Sequence, residues 1–235
     1  MKNLKLLAYL ALAMLVLPAY GELRIEVTKG VDNAVRVAVV PLAWRGDGAL
    51  PADVTSIVDS DLTMSGRFST LPVDQMLSLP NEAKDVFFRD WRLLKVEYLI
   101  IGYLVPADDK VRLHFALYNI FKRSVEVEQT IEGTRDELRD MAHYVSDVVY
   151  KRLTGIDGAF STRIMYVTVT GAIPHRRYQL NIADADGRRA ETILRSDEPI
   201  LSATWAPDGK RIAYVSPAIG ASAHATWRII RSGNI

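Results

Sequence analysis

The spacing of apolar residues divides the chain into a first part with both strand and helix patterns and a second part with strand patterns alone. Apolar stretches typical of buried strands occupy residues 35–41 and 98–105, and alternating strands are predicted at 111–120 and 125–131. From Arg163 onward, only short alternating segments separated by turns remain. We therefore predict an α+β domain followed by an all-β region.

Three amphipathic helices are predicted in the first part. The first begins at Pro51, the second covers residues 81–94, and the third follows a capping box formed by Thr134 and Glu137. The inner stripe of the third helix consists of Leu138, Met141, Ala142, Val145, Val148, Val149 and Leu153. Strands and helices together predict a mixed sheet packed with helices over residues 22–155.

A sequence repeat indicates the architecture of the second part. Arg163–Thr168 matches Arg211–Ser216 at a spacing of 48 residues, which lies within the range of β-propeller periods. Trp205–Gly209 precedes the second copy and ends in Pro-Asp-Gly, a turn in which proline presets φ and glycine supplies positive φ. Complete propellers have about 4–8 blades. Residues 163–235 therefore predict a partial propeller of about one blade and the start of a second, with an aberrant tail at 217–235.

The N-terminus has the pattern of a cleaved secretory signal peptide, residues 1–21. A basic start is followed by the apolar run Leu6–Leu17, and Ala19 and Gly21 are small residues where a signal peptidase requires them. We expect cleavage between Gly21 and Glu22 and export to the periplasm. An uncleaved anchor is the alternative, although a membrane span needs about 20 apolar residues.

Composition limits the classes of partner. There is no cysteine, so no disulfide supports an exported chain. The formal net charge is +1, and it becomes −1 when Lys2 and Lys5 are removed with the signal peptide. A net charge this small gives no electrostatic indication of nucleic acid or of an anionic membrane as a partner. After cleavage we expect no insertion into a membrane.

Patterns that carry catalysis are incomplete. Gly220–His224 resembles a nucleophile elbow around Ser222, but the final glycine is replaced by histidine. No glycine-rich phosphate loop occurs. We predict that the protein is not an enzyme and has no cofactor.

Polar clusters offer simpler interpretations than a metal site. One stripe of the third helix carries Asp136, Asp140, His143 and Asp147. That stripe could hold a cation, or it could be a solvated or interdomain face. Asp184–Gly187 begins like a calcium loop but lacks the later glutamate, so a hairpin turn explains it. The pairs Arg176–Arg177 and Arg188–Arg189 are predicted to lie on solvated loops.

The segment after the cleavage site is the best candidate for binding a protein partner. Residues 22–29 alternate like an edge strand or a free strand, and a free strand offers unpaired backbone groups to another sheet. An ordinary edge strand of the first domain is the alternative. The predicted partner-binding residues are Glu22, Leu23, Arg24, Ile25, Glu26, Val27, Thr28, Lys29, Gly30, Val31, Asp32 and Asn33.

The order of these features resembles the TolB family, periplasmic proteins of the Tol-Pal system. The segments that carry the resemblance are Glu22–Val27, Gly30–Asp32, Val37–Pro41, Asp61–Phe68, Tyr98–Gly102, His143, Ser146–Asp147, Leu153–Gly155, Gly158–Phe160, Thr162–Ile164 and Trp205–Gly209. The resemblance extends from residue 1 to about residue 216. It implies an α+β domain followed by a six-bladed propeller, with no enzymatic activity.

The resemblance also implies partners and a cellular role. In the family, the mature N-terminal strand binds the inner-membrane protein TolA, and the propeller binds the lipoprotein Pal. The system acts in outer-membrane invagination during division, in envelope integrity and in protein import. TolA binding maps to Glu22–Asn33, whereas an incomplete propeller does not support Pal binding. An exported hydrolase fragment and a non-functional truncated product are the alternatives.

Overall fold

The structure is a computed structural model that describes residues 34–209, 211–217 and 225–231. The predicted signal peptide and the predicted partner-binding strand, residues 1–33, lie outside the described residues. In the part of the chain that is described, no helix is long and apolar enough to cross a bilayer.

Residues 34–155, which we call the N-terminal domain, form one mixed sheet with helices on both faces. Its strands are β1 (Val35–Val39), β2 (Ala43–Trp44), β3 (Phe68–Thr70), β4 (Tyr98–Ala107), β5 (Lys110–Asn119) and β6 (Ser124–Gly133). Its α-helices are α1 (Val54–Met64), α2 (Phe88–Leu93) and α3 (Leu138–Thr154). The strand order is β3-β1-β4-β5-β6, with β2 also paired to β4. The first four strands run parallel, and β4, β5 and β6 form an antiparallel meander, so the predicted α+β class is confirmed.

The two faces of this sheet belong to two separate apolar cores. Val37 and Val39 of β1 point to the core under α1 and α3, while Ala38 and Val40 point to the core under α2, which includes Trp91. Alternate residues of a strand face opposite sides of a sheet. The central strand β4 is therefore apolar along its whole length, and β1 is apolar except at Arg36.

The helix limits differ from the predicted ones where local hydrogen bonding decides them. α1 begins at Val54 because the Asp53 side chain caps it, accepting a hydrogen bond from the Ser56 N–H at 3.1 Å. The helix predicted over residues 81–94 forms only in its second half, as α2, and its first half is wrong. A 3₁₀ turn, Ala83–Asp85, is followed by Val86 in extended conformation, which interrupts helical hydrogen bonding while burying its side chain in the second core.

α3 follows the predicted pattern most closely. Its apolar stripe lies in the first core. Glu137 accepts a hydrogen bond from the Thr134 N–H at 2.7 Å, which is half of the predicted capping box. The helix ends at Gly155, whose φ of 75° is the left-handed conformation typical of a helix C-terminus.

Residues 163–231, which we call the blade region, form two antiparallel three-stranded sheets. The strands are β7 (Arg163–Thr170), β8 (Arg177–Asp184), β9 (Glu191–Ser196), β10 (Leu201–Trp205), β11 (Arg211–Pro217) and β12 (Ala225–Arg231). A small core of Leu180, Ile182, Ile200, Ile212 and Tyr214 joins the sheets. The sheets do not close into a ring, as expected of a partial propeller.

The two copies of the sequence repeat are β7 and β11, and these strands occupy different positions in their sheets. β11 lies in the middle of its sheet because β10 pairs with it, whereas β7 is an edge strand. Within the described residues, the first sheet therefore has no equivalent of β10. The Pro-Asp-Gly turn before β11 is present, with Gly209 at φ 66° and its N–H donating to the Ala206 carbonyl at 2.9 Å. β12 pairs with β11 from residue 225 to residue 231, a strand that the sequence pattern did not indicate.

Candidate functional site at the domain junction

Polar side chains of α3 meet the turn between β8 and β9 where the N-terminal domain contacts the blade region. Residues three or four apart share one face of a helix, so α3 presents a polar row beside its apolar stripe. We define the junction cluster as Asp61 of α1, Arg139, Asp140 and His143 of α3, Asp184 at the end of β8, and Asp186 and Arg189 of the turn.

Two arginines cross the junction in opposite directions. Arg139 of α3 donates to Asp186 Oδ2 at 2.6 Å and to Asp184 Oδ2 at 3.4 Å. Arg189 of the turn donates to Asp184 Oδ2 at 2.7 Å and to Asp140 Oδ1 at 2.5 Å. The Asp184 side chain is 5% exposed, and a carboxylate this buried requires charged partners. The network therefore fixes the turn against the helix.

The arginines also control the ionisation of the carboxylates that they contact. Burial raises the pKa of Asp140, but the hydrogen bond and charge of Arg189 outweigh it, so the net pKa is lowered. The same balance, with Arg188 N–H and Arg139 as the favourable partners, lowers the pKa of Asp186. Both carboxylates are therefore charged at neutral pH.

His143 connects this network to α1. Its Nδ1 lies 2.8 Å from Asp61 Oδ2, and the two side chains are only 2% and 4% exposed. Its Nε2 lies 3.4 Å from Arg139 Nη2. Burial lowers the pKa of His143, but the Asp61 carboxylate and the nearby Asp186 raise it, and the net pKa lies above the ordinary value. A continuous polar path thus runs from α1 through α3 to the blade region.

Part of the cluster has the spacing of a metal site. His143, Asp184 and Asp186 offer ligand atoms that all lie within 4.8 Å of one another. The guanidinium of Arg139 already contacts all three groups and neutralises charge there. We therefore assign this cluster to ion pairing between the domains and place no metal in it.

A second contact joins the linker between the two parts, residues 156–162, to α3. Both oxygens of Asp147 accept backbone hydrogen bonds, from the Phe160 N–H at 2.8 Å and the Ser161 N–H at 3.0 Å. Gly158 packs against the same side chain so closely that a Cβ there would lie 2.2 Å from Asp147 Oδ1. Glycine is needed at this approach, and these contacts oppose free hinge motion of the linker.

Three of the four polar residues predicted on one stripe of α3 belong to this contact region. Asp140, His143 and Asp147 face the blade region or its linker, whereas Asp136 is exposed. The interdomain interpretation of the stripe is therefore confirmed. Arg189 lies on an exposed turn, as predicted, but its guanidinium also bonds two carboxylates across the junction, which the sequence did not indicate.

Sequence reasoning missed Asp61 and Arg139. Asp61 carried a usable signal, since it lies among the buried residues of α1, between Val58 and Leu62. A carboxylate at a buried helix position needs a partner. Arg139 carried no such signal, because its partner Asp186 is 47 residues away in the sequence. The predicted partner-binding residues Glu22–Asn33, the cleavage site at Gly21 and Glu22, and Ser222 lie outside the described residues.

Comparison with known proteins matches both parts of the chain. The model of the TolB amino-terminal domain matches residues 23–125, and that of the TolB beta propeller domain matches residues 150–225. The chain belongs to the TolB family. Its curated relatives include Tol-Pal system protein TolB of Pseudomonas fluorescens Pf-5, 46% identical over 199 residues that cover 84% of this chain and 46% of the relative. Tol-Pal system protein TolB of Marinomonas sp. is 45% identical over 199 residues, with the same coverage of 84% and 46%.

A solved TolB structure agrees with the fold. The crystal structure of TolB from Acinetobacter baumannii has a TM-score of 0.70 and 37% sequence identity, and the match covers 81% of this chain and 46% of that chain. The chain thus spans about half the length of the curated relatives it matches.

The TolB family matches also locate the junction cluster between two recognised domains. Asp61 lies within the amino-terminal match, and Asp184, Asp186 and Arg189 lie within the propeller match. Most of α3 falls between the two matches. α3 therefore carries the contacts between the two matched domains.

Proposed function

We propose that the chain is a non-enzymatic periplasmic component of the Tol-Pal envelope system and acts by binding other proteins. The observation that carries the proposal is the match of both TolB family models, in order, along one chain. The relatives are Tol-Pal system proteins, which supports the same system. Outer-membrane invagination during division, envelope integrity and protein import are the processes in which we place it.

The proposed partner-binding element is Glu22–Asn33, which would add as a strand to a TolA-like protein. The alternating sequence of residues 22–29 supports this proposal. A strand added to another sheet binds through its backbone hydrogen bonds, and its alternate side chains contact the partner and give specificity. β1, which begins at Val35, is hydrogen-bonded to β3 on one side and β4 on the other. Both edges of β1 are therefore already paired with strands of the same domain, which supports the availability of residues 22–33 for a partner.

The proposed mechanism is a two-state equilibrium of this segment between its own protein and its partner. A ligand can shift such an equilibrium only through a difference in affinity for the two states. The junction cluster sets the orientation of the blade region against α3, so the two parts can present their surfaces in a fixed arrangement. Binding of a Pal-like lipoprotein is not part of the proposal.

The proposal is tested by measuring binding to the C-terminal domain of TolA by titration calorimetry. The chain that begins at Glu22 is expected to bind, and a chain that begins at Ala34 is expected to lose about tenfold or more in affinity, since the backbone pairing is removed. Unchanged binding by the shortened chain would exclude the strand mechanism.

A matched pair of substitutions separates backbone pairing from side-chain chemistry. Val27→Pro removes a strand N–H and is expected to weaken binding as the deletion does. Val27→Thr keeps the β-branched shape and the N–H, and we expect it to retain the original affinity. Equal loss in both variants would point to side-chain recognition instead.

A further inference from the structure

One end of the N-terminal domain exposes large apolar side chains beside arginines. Phe87 before α2, Leu93 at the end of α2 and Phe121 in the turn between β5 and β6 are 63%, 71% and 59% exposed. Single exposed apolar residues are ordinary on a protein surface, whereas grouped ones mark interaction sites. The position of these three residues relative to one another therefore matters.

Backbone contacts bring α2 and the β5–β6 turn together. The Val96 N–H donates to the Trp91 carbonyl at 3.1 Å, and the Ile120 N–H donates to the Glu97 carbonyl at 2.9 Å. A shallow cleft of about 330 Å³ is lined by residues from both segments, including Phe87 and Arg123. Phe87, Arg89, Arg92 and Arg123 line this cleft, Leu93 directly follows Arg92, and Phe121 lies in the same turn as Arg123; we call these six residues the basic aromatic surface.

The charge of this surface is opposite to that of the processed chain. Arg89, Arg92 and Arg123 line the cleft together with a single carboxylate, Asp90. Asp90 lies 3.5 Å from Arg89, whose side chain is 87% exposed, so the charge of Arg89 is only weakly compensated. Arg123 has no ion-pair partner among the described residues. The chain without residues 1–21 has a formal net charge of −1, which conceals this local excess of positive charge.

The surface lies away from the junction cluster. α2 packs on one face of the sheet, whereas α1 and α3 pack on the other. The blade region contacts α3 through Arg139 and Arg189. The basic aromatic surface therefore does not overlap the contact between α3 and the blade region.

We propose that the basic aromatic surface docks the protein peripherally on an anionic phospholipid bilayer. Phe87, Leu93 and Phe121 are largely open to solvent, and the cleft that Phe87 lines is shallow, which suits insertion between headgroups better than docking of a rigid protein. The arginines are placed to attract anionic headgroups, and the two contributions add in peripheral binding. The inference shares with the proposed function only the location in the envelope.

The test uses the chain beginning at Glu22, so that the apolar run Leu6–Leu17 cannot bind lipid. Sedimentation is compared for vesicles of phosphatidylethanolamine with phosphatidylglycerol and for vesicles of phosphatidylcholine alone. We expect binding only to the anionic vesicles and its loss at about 0.5 M salt, where surface charges are screened. No protein partner is present, so the outcome does not depend on TolA binding.

Paired variants locate the binding surface. Arg89→Glu with Arg123→Glu, and separately Phe87→Ser with Phe121→Ser, are each expected to weaken vesicle binding by about tenfold or more. Lys110→Glu is the charge control, because Lys110 pairs with Ala107 at the other end of the β4–β5 hairpin. Val169→Ser in β7 is the apolar control, since Val169 is 49% exposed on the blade region. Both controls are expected to bind like the parent chain.

Three outcomes would overturn the proposal. The first is equal binding to neutral and anionic vesicles, and the second is unchanged binding in both paired variants. The third is capture of an acidic, phenylalanine-containing synthetic peptide without any vesicle binding, which would make the surface a protein-docking site. If the serine variant fails to fold by circular dichroism, the arginine variant decides alone, because Arg89 and Arg123 are exposed.

Discussion

The N-terminal domain and the blade region use sheets in different ways. The sheet of the N-terminal domain is covered on both faces, and its central strands β1 and β4 have neighbours on both sides. The two sheets of the blade region share one small core, and β7 remains an edge strand. A sheet with paired strands and two cores can fold by itself, whereas exposed sheet edges depend on neighbouring structure. The blade region therefore depends on its surroundings more than the N-terminal domain does.

The contact between the two parts is polar, in contrast to the apolar interior of each. Ion pairs from Arg139 and Arg189 hold the junction, with Asp147 fixing the linker. Polar contacts of this kind give orientation with less apolar burial, as is common between domains of one chain. The difference between the regions can be tested at both the cores and the junction.

The largest expected effect compares one core residue from each region. Phe115 and Leu180 are both fully buried. Phe115→Ala is expected to cost about 3–5 kcal/mol and to unfold the N-terminal domain, and Leu180→Ala about 2–5 kcal/mol. Limited proteolysis of the Leu180→Ala variant should leave a resistant fragment that ends near residue 155. Loss of both regions together in that variant would show that they unfold as one unit.

The next effect concerns the junction cluster. Arg139→Ala removes the cation that contacts Asp184 and Asp186, and we expect a loss of about 2 kcal/mol in the free energy that holds the blade region to α3. Hydrogen exchange of the β8–β9 turn measures it. Arg177→Ala is the control, because its pair with Asp197 is largely exposed and should contribute less than about 0.5 kcal/mol. Equal hydrogen-exchange rates of the β8–β9 turn in the two variants would show that Arg139 stabilises the junction no more than an exposed ion pair does.

A smaller effect is expected in the linker. Asp147→Ala removes the acceptor of two backbone N–H groups, and we expect a loss of about 1–2 kcal/mol, with faster hydrogen exchange at Phe160 and Ser161. Asp157→Ala is the matched control nearby, since Asp157 pairs with Lys151 on the exposed surface. If Asp157→Ala accelerates exchange as much as Asp147→Ala, the linker is not held by Asp147.

The smallest expected effect is a pH dependence of the junction. Because the pKa of His143 is raised in the folded protein, protonated His143 stabilises the junction. This stabilisation is complete below the pKa of histidine in the unfolded chain, about 6.5, and is lost as the pH rises through the pKa of the folded state. Protonation adds a positive charge among Asp61, Asp140 and Asp186, with Arg139 as the opposing cation. The pKa values of Asp140 and Asp186 are lowered, so these charged carboxylates stabilise the junction at neutral pH. Their stabilisation is lost only as the pH falls through these lowered pKa values.

Hydrogen exchange at about pH 6 and about pH 8.5, corrected for the intrinsic rate, measures this dependence. We expect the β8–β9 turn to be less protected at the higher pH by about 1 kcal/mol. His143→Gln should remove the dependence. A junction that becomes more protected as the pH rises would contradict the sign of the shift.

Local signals in the sequence were sufficient for most of the N-terminal domain. The stripe of α3 and the apolar run of β4 are periodic over many residues, and both were predicted. The helix predicted over residues 81–94 is limited to Phe88–Leu93 because burial of Val86 in extended conformation outweighs local helix preference before it.

The junction could be predicted only in part, for a physical reason. Its members lie on one helix, on a second helix and on a hairpin turn that approach one another only after folding. The polar row on α3 was visible in the sequence, but its partners were not, because ion pairs between distant segments leave no periodic pattern. The basic aromatic surface was hidden for a similar reason, since net charge averages over the whole chain.

The most direct test of the account measures where partner binding resides. The affinity for the C-terminal domain of TolA is compared between a chain of residues 22–235 and one of residues 22–162, which lacks the blade region. We predict affinities equal within about twofold, because the proposed strand and the self-contained N-terminal domain are present in both. A loss of about tenfold or more on removal of the blade region would contradict the account, since binding would then require the part that depends on its surroundings.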